Sequence, residues 1–531
     1  MLHTRLSRAS FWLKVGVAVL LAVAAERLLF DQEFGATIGA HALVWTACVL
    51  AVRPGLLRDR RALFALVAAV GFGLLMIERP GPLACLLFAL SLTVAVLSAR
   101  VKSGDPAWRW AQRLVVHGAV MTVGPALDLF KVNSLPARAT RAVRRSPWAV
   151  LGLLALPIIG GAIFLALFAA ANPLISDFLG RLRLPALPEH AVPRFIFFGA
   201  CAVAVASTLR PRWRRKLFEL PSLPARALPG GSVASVTLSL LVFNALFAIQ
   251  NALDVAFLWS GAPLPGDMGL ADYAHRGAWA LIVTALLAGL FVLVFLRPGS
   301  ETARKPLVKG LVVAWIGQNM LLVASSILRT ADYVEAYALT RFRIAALIWM
   351  VLVGVGLMLI CWRLLRNHDG HWLIDANIRV LLVVLAVCSV VDFGSMAAWW
   401  NVRHAREVGG RGVELDLGYL RSLDSSALVS LVELERALPE SGFRDRVAAV
   451  RREIHVETRN RRSDWHGWTW RDARRLDRVA ELAADRPLVT PRPGRREWDG
   501  TLEPAPPPPV VPPLLPPPPL AAPPLTSAPG V

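Results

Sequence analysis

Two aspartates, Asp254 and Asp392, stand inside otherwise apolar runs of this chain, and each has amide or hydroxyl neighbours. On a helix of 3.6 residues per turn, Asn244, Gln250, Asn251 and Asp254 fall within about a third of the circumference. A second apolar run offers Gln318, Asn319, Ser325 and Ser326, and a third sets Ser395 beside Asp392. A carboxylate within a bilayer is costly and normally faces a bundle interior or a water cavity. Asn251, Asp254, Gln318, Asn319 and Asp392 are therefore the candidate lining of a solute or ion path, with proton or cation coupling at an aspartate. The plainer account is that the amides join helices by hydrogen bonds across their interface, while the aspartates sit near enough to the surface to be hydrated.

A second group lies in two polar connectors. "LPGDMGLADYAHRGAW" (264–279) supplies Asp272, His275 and Arg276, and "RTADYVEAYALTR" (329–341) supplies Asp332, Glu335 and Arg341. An imidazole titrates near neutral pH, and Asp272 stands three residues before His275, where it could orient or charge the ring. A membrane enzyme acting on a lipid-linked or envelope substrate would use Asp272, His275 or Asp332 for acid–base work. As a plain connector the same stretch anchors Tyr273 and Trp279 at the interface and Arg276 among headgroups. His404 is the one other imidazole near by topology, and "NHDGH" (367–371) reads as a short polar loop, so neither a metal nor a cofactor is expected. The chain has no G-x-x-x-x-G-K-[ST], H-E-x-x-H or G-x-S-x-G, and no G-x-G-x-x-G opening a helix after a strand. That weighs against an ATP-driven pump or a zinc protease of standard signature.

The elements that must position these residues are membrane helices. Of 531 residues, 55% are hydrophobic and 18% charged, where a soluble domain carries about a quarter charged. The apolar residues gather in runs of bilayer-crossing length. About eleven spans are predicted, over 11–29, 36–52, 62–77, 82–98, 147–171, 194–210, 234–258, 277–297, 307–328, 342–364 and 376–399. The first could pass for a signal peptide, but a second apolar run follows at once, which favours an uncleaved helix. Segment 108–131 carries Trp108 and Trp110, is broken by Gly124-Pro125, and reads as an interfacial helix, with a re-entrant segment as the alternative. The five cysteines all lie in apolar runs without ligand spacing and read as packing residues.

The formal charge of +21 could suggest nucleic acid, but 38 Lys+Arg against 19 Asp+Glu lie in 1–399, between the spans. That is the distribution of the positive-inside rule rather than of a basic soluble module. The connectors 53–61, 99–146, 210–231, 297–305 and 363–372 form the basic set. The connectors 31–35, 78–82, 172–193, 264–279 and 329–341 form the poorer one. With the N-terminus in the basic set, this predicts N-inside, C-outside. Four regions follow: 1–146 with four spans and the amphipathic segment; 147–399 as a core of about seven spans; 400–490 as a small helical extramembrane domain; and 491–531 as a Pro-rich disordered tail. In the helical domain Asp424 is a plausible N-cap, and Trp465, Trp468 and Trp470 open the last helix, placed to dock the domain on the bilayer or on itself. The fold class is an all-α integral membrane protein.

Two helices share a pattern: "AIQNAL" (248–253) and "IGQNML" (316–321) are each followed by an acidic, Tyr-containing connector and another span. Both would run inside to outside, a parallel duplication. The stretches 243–290, 315–350 and "WWNVRHAREVGG" (399–410) resemble a bacterial multi-pass membrane family known as domain of unknown function 4173, over roughly 150–410 and most strongly over 243–410. The resemblance implies a bacterial inner-membrane protein and brings no activity, cofactor or site residue with it. The expected partner is the lipid bilayer, with the C-terminal domain or Pro-rich tail available to a protein partner and no nucleic acid. A non-enzymatic role is favoured: transport of a small solute or ion, or sensing and assembly at the envelope. The membrane enzyme is the alternative.

Overall fold

The structure is a computed structural model that describes residues 2–99, 101, 105–133, 190–211, 232–256, 287, 290, 291, 304–410 and 412–504. Among the described residues the long elements are all helices, and the single β pairing is an isolated bridge between Arg496 and Leu502. Helix α1 (Leu2–Leu29) leads into α2 (Ala36–Val52), α3 (Arg60–Glu78), α4 (Pro82–Ser98) and α5 (Ala107–Asn133). Then come α6 (Ala191–Leu209), α7 (Val233–Asp254), α8 (Pro306–Tyr337), α9 (Arg341–Arg366) and α10 (Gly370–Val390). Six of these, α3 and α6 to α10, are long and apolar enough to cross a membrane; α2 and α4 are apolar but shorter. The described residues thus support a multi-pass helical membrane protein with six such helices. The expected span 147–171 and most of 277–297 lie outside the described residues.

Local sequence explains where the helices start. Asp59, Thr340 and Asp369 each accept a backbone N–H from the first turn of α3, α9 and α10, satisfying donors that a helix leaves open. Pro82 opens α4 and Pro306 opens α8, where a missing N–H costs nothing. Helix α9 stops at Asn367, which takes the left-handed conformation (φ 54°) that asparagine tolerates.

Two expectations about elements change. Segment 108–131 lies within one helix, α5, which runs through Gly124-Pro125 rather than breaking there. An internal proline deletes one hydrogen bond without forbidding the turns on either side. The expected span over 376–399 is two helices, α10 and α11 (Phe393–His404), parted at Val391–Asp392. Val391 is extended (ψ 134°), and the Asp392 carboxylate caps α11 by accepting Ser395 N at 3.1 Å. A capping aspartate starts a new helix rather than continuing the old one.

The helices pack in neighbourhoods. Helices α1 to α4 and α6 enclose one apolar core around Leu21, Ala69, Met76 and Leu92. Helices α7, α8 and α9 enclose another around Leu240, Val312 and Trp315. Among the described residues, connectors of the two sets make separate contacts. In the basic set, Arg53 Nη1 donates to Val96 O (3.4 Å) and Ala107 N to Asp375 Oδ1 (2.6 Å). Next to the poorer set, Arg194 pairs with Glu26, and Ala36 N donates to Trp468 O at 2.7 Å.

Beyond α11 the chain forms α12 (Leu417–Ser422), a 3-10 turn over Asp424–Ala427, α13 (Leu428–Ala437), α14 (Gly442–Ser463) and α15 (Trp470–Asp485). Asp424 does not cap α13: it adopts φ 55° and its carboxylate takes both Arg461 terminal nitrogens at 2.6 Å. Among the described residues this helical domain shares its core with the ends of the membrane helices. Leu420, Leu428, Leu431, Val447 and Ile454 share one apolar cluster with Val334 and Leu339 of the α8–α9 turn and with Ala397 and Ala398 of α11. Residues 486–504 continue as an ordered strap: Val489 N and O bond Glu435 and Arg451, and Arg496 pairs with Asp445 at 2.7 Å. The first part of the expected tail, 491–504, is therefore packed on α14, and 505–531 lies outside the described residues.

Candidate functional site

Three groupings of polar residues result. The first joins α7 and α8, which run side by side in the same direction. Asn244 Nδ2 donates to Leu311 O (3.0 Å), and Gln318 Nε2 donates to Asn244 Oδ1 (2.9 Å). Asn251 Nδ2 donates to Gln318 O (3.3 Å), and Gln250 Nε2 to Asp254 Oδ1 (3.0 Å). The ladder ends in an ion pair between Asp254 and Arg329, with side chains 2% and 8% exposed. Asn319, buried beside it, turns back onto its own helix at Trp315 O (2.8 Å). The polar face of α7 thus meets α8 and bonds it directly. Arg329 is the member that sequence reasoning placed in a connector; helix α8 runs on to Tyr337 and keeps it within the bundle. Asn251 Oδ1, Asp254 Oδ2 and Gln318 Oε1 are buried without a hydrogen-bond partner among the described residues.

The second grouping forms around Asp392, which the structure does not bring into that ladder. Its carboxylate pairs with Arg475, with Arg79 at 3.1 Å and with Arg471 at 3.7 Å, and it accepts Ser426 Oγ at 3.2 Å. Arg471 also reaches Glu78 (3.2 Å) and Val390 O (3.0 Å), and Arg475 reaches Asp472 (2.8 Å) and Ser425 Oγ (2.6 Å). Burial pushes the Asp392 carboxyl up, but the Arg475 and Arg79 guanidiniums, the Ser395 N–H and Arg471 outweigh it and hold it below the ordinary carboxylate range. Arg341 arrives at the same place from α9, with Nη2 3.3 Å from Leu423 O and 3.5 Å from Ser426 Oγ, while its backbone N–H donates to the Tyr419 hydroxyl. Two sequence-derived candidates from different groups, Asp392 and Arg341, therefore meet at Ser426. The arginines were legible only as a basic face of α15, with Arg471 and Arg475 one turn apart and nothing in the sequence to name their partner.

The third grouping is a pocket of about 300 Å³ between the last turn of α8, α11 and residues 412–415, lined by Glu335, Trp400, Asn401, His404, Glu414 and Leu415 among others. Trp400 and His404 stack with ring centroids 3.9 Å apart, and His404 Nδ1 donates to Trp400 O at 2.9 Å. Asn401 is buried and bonds both the N–H and the carbonyl of Leu339, fixing the α8–α9 turn. Asp332 is exposed on α8 outside this lining. Asp272, His275 and Arg276 lie outside the described residues. No group of three His, Cys, Asp or Glu among the described residues could hold a metal ion.

The family described as Domain of unknown function (DUF4153) matches residues 41–434, more than half of the 531-residue chain. This overturns the resemblance to domain of unknown function 4173, a different family. Apolar helices carrying paired amides and followed by short acidic connectors recur wherever helices are hydrogen-bonded in a membrane, so those stretches were too generic to tell the families apart. No curated protein and no solved structure matches the chain.

Proposed function

The chain belongs to the DUF4153 family, whose description assigns no activity, and from its own geometry we propose that it serves sensing or assembly at a membrane surface, with its C-terminal helical domain as the working part. The observation that carries this is the shared core: Leu420, Leu428 and Leu431 of the domain pack in one cluster with Val334, Leu339, Ala397 and Ala398 from the membrane helices. A domain built on helix ends in this way moves with them, which suits a platform or receptor. The proposal includes the side. Lys and Arg concentrate in the sequence connectors 53–61, 99–146, 210–231, 297–305 and 363–372, so by the positive-inside rule the N-terminus is cytoplasmic and the domain lies on the outer face of a cytoplasmic membrane.

The test is complementation of a deletion strain. A chain truncated after Gly410 is expected to reach the membrane and fail to complement, as is a full-length chain with Asp392→Ala and Arg475→Met. Full complementation by either chain overturns the reading. A second reading, transport along the α7–α8 interface, draws support from the three buried acceptors without partners on that ladder. It expects Asp254→Asn with Arg329→Gln to abolish function at unchanged membrane level, whereas the platform reading expects that chain to complement.

A further inference from the structure

We propose that the pocket between α8, α11 and residues 412–415 binds an organic ammonium group. The pocket wall holds two acidic side chains, Glu335 and Glu414. Both are exposed, and neither has a hydrogen-bond or ion-pair partner among the described residues. Arg406 is exposed beside the pocket wall, and two other arginines close by are engaged elsewhere. Arg343 donates to the carbonyls of Tyr337 and Ala338, and the Arg403 guanidinium lies 4.6 Å from the centre of the Trp399 ring. Glu407, the third acid nearby, accepts Leu415 N at 3.1 Å.

The rest of the wall suits a cation with a carbon body. Helices α8 and α11 both end here, at Tyr337 and His404. The Trp400–His404 stack presents aromatic surface, which attracts ammonium groups through its negative face. Leu415, Val413 and Ala405 complete an apolar floor. A bare metal ion is a poorer fit, since the described residues bring no three ligating side chains together. A carboxylate or phosphate would face the two glutamates. Ammonium groups occur both on soluble amines and on phospholipid headgroups, and the pocket opens at the end of the bundle where headgroups lie.

Calorimetric titration of the delipidated full-length chain in maltoside micelles tests the proposal. The probes are free ethanolamine, a soluble short-chain phosphatidylethanolamine and, as a neutral isostere, ethylene glycol. Ethanolamine or the lipid is expected to bind and ethylene glycol is not. Glu335→Gln and Glu414→Gln should each weaken binding about tenfold, the loss of one charge-assisted hydrogen bond. Glu440→Gln, an exposed carboxylate outside the pocket, should leave binding unchanged. Tighter binding of the lipid than of ethanolamine identifies the headgroup as the source, and equal binding identifies a soluble amine. Both glutamates are exposed and unpartnered, so their amide variants keep the fold, checked by helical circular dichroism and elution volume. If neither amine binds in the millimolar range, or the double variant binds like the unmodified chain, the proposal is wrong.

Discussion

Asp392→Ala should release α15 from the bundle by a measurable amount. The carboxylate is the only acidic partner that Arg79 has among the described residues, and it faces Arg475, whose side chain is 10% exposed. Removing one member of a buried, hydrogen-bonded ion pair costs roughly 3–5 kcal/mol, because the partner is left charged and desolvated. Here the lower end applies. Arg475 keeps Asp472 at 2.8 Å and Ser425 at 2.6 Å, and Arg471 keeps Glu78. Loss of the cap on α11 adds about 1 kcal/mol, giving roughly 3–4 kcal/mol for alanine. Asp392→Asn keeps a capping oxygen and should cost about 1 kcal/mol less. At 1.4 kcal/mol per tenfold, opening of the interface should rise at least about a hundredfold.

Hydrogen exchange read by mass spectrometry on 393–404 and 470–485 measures that opening directly. The reasoning fails if exchange over α15 is unchanged in Asp392→Ala. It also fails if Arg475→Met adds its full effect on top of Asp392→Ala, since coupled partners are not additive. The pH dependence has a definite sign. A carboxyl held below its ordinary value binds its proton more readily when the structure is open. Its contribution is therefore complete above the ordinary value of about 3.9 and is lost as pH falls through the lower, folded value. Protection factors over α15, taken against the intrinsic exchange rate at each pH, should stay flat between about pH 5 and 8 and fall only below about 4.

Three further outcomes are expected. Glu435→Gln should destabilise the C-terminal domain by roughly 3–5 kcal/mol, because Glu435 and Arg451 are 1% and 5% exposed and pair at 2.8 Å; protease cutting between Arg486 and Arg496 should become rapid, and unchanged cutting would refute it. Gly418→Ala should displace Trp498, since an added methyl would overlap the indole ring, at about 1–3 kcal/mol, seen as a lower melting temperature and rescued by Trp498→Ala. A periplasm-active reporter fused after Val531 should be active in a bacterial host, and a signal confined to the cytoplasm would reverse the orientation.

The helical membrane architecture was legible because composition and run length speak directly to the solvent. Caps at Asp59 and Asp369 are equally local. What sequence could not supply was pairing over distance. The amides of α7 were visible as one face, yet their partners on α8 stand 67 and 74 residues away. Arg329 was read as part of a loop because the apolar run ends at Leu328, although the helix runs nine residues further. Asp392 looked like a charge in the membrane for the opposite reason. Apolar residues continue on both sides of it, and only its backbone shows that one helix has ended there.

That break gives Asp392 a meaning that a mid-span charge would not have. The family match ends at residue 434, within α13, so Asp392, Ser426 and Arg341 lie inside it, whereas Arg471 and Arg475 lie beyond. The clamp therefore joins the matched segment to the chain that follows it, whereas the Glu435–Arg451 pair lies wholly beyond the match. Helices α14 and α15 carry mixed charge and little apolar surface of their own, and Val447, Ile454, Leu476 and Val479 find their core against α11 to α13. Apolar burial holds that region together without fixing one orientation, since it is non-directional. Paired guanidinium–carboxylate contacts fix geometry through their directed hydrogen bonds. The arginines on α15 thus set how the domain sits on the ends of α3 and α10, and a partner that competed for Asp392 or Glu78 would act on the membrane helices through that seat.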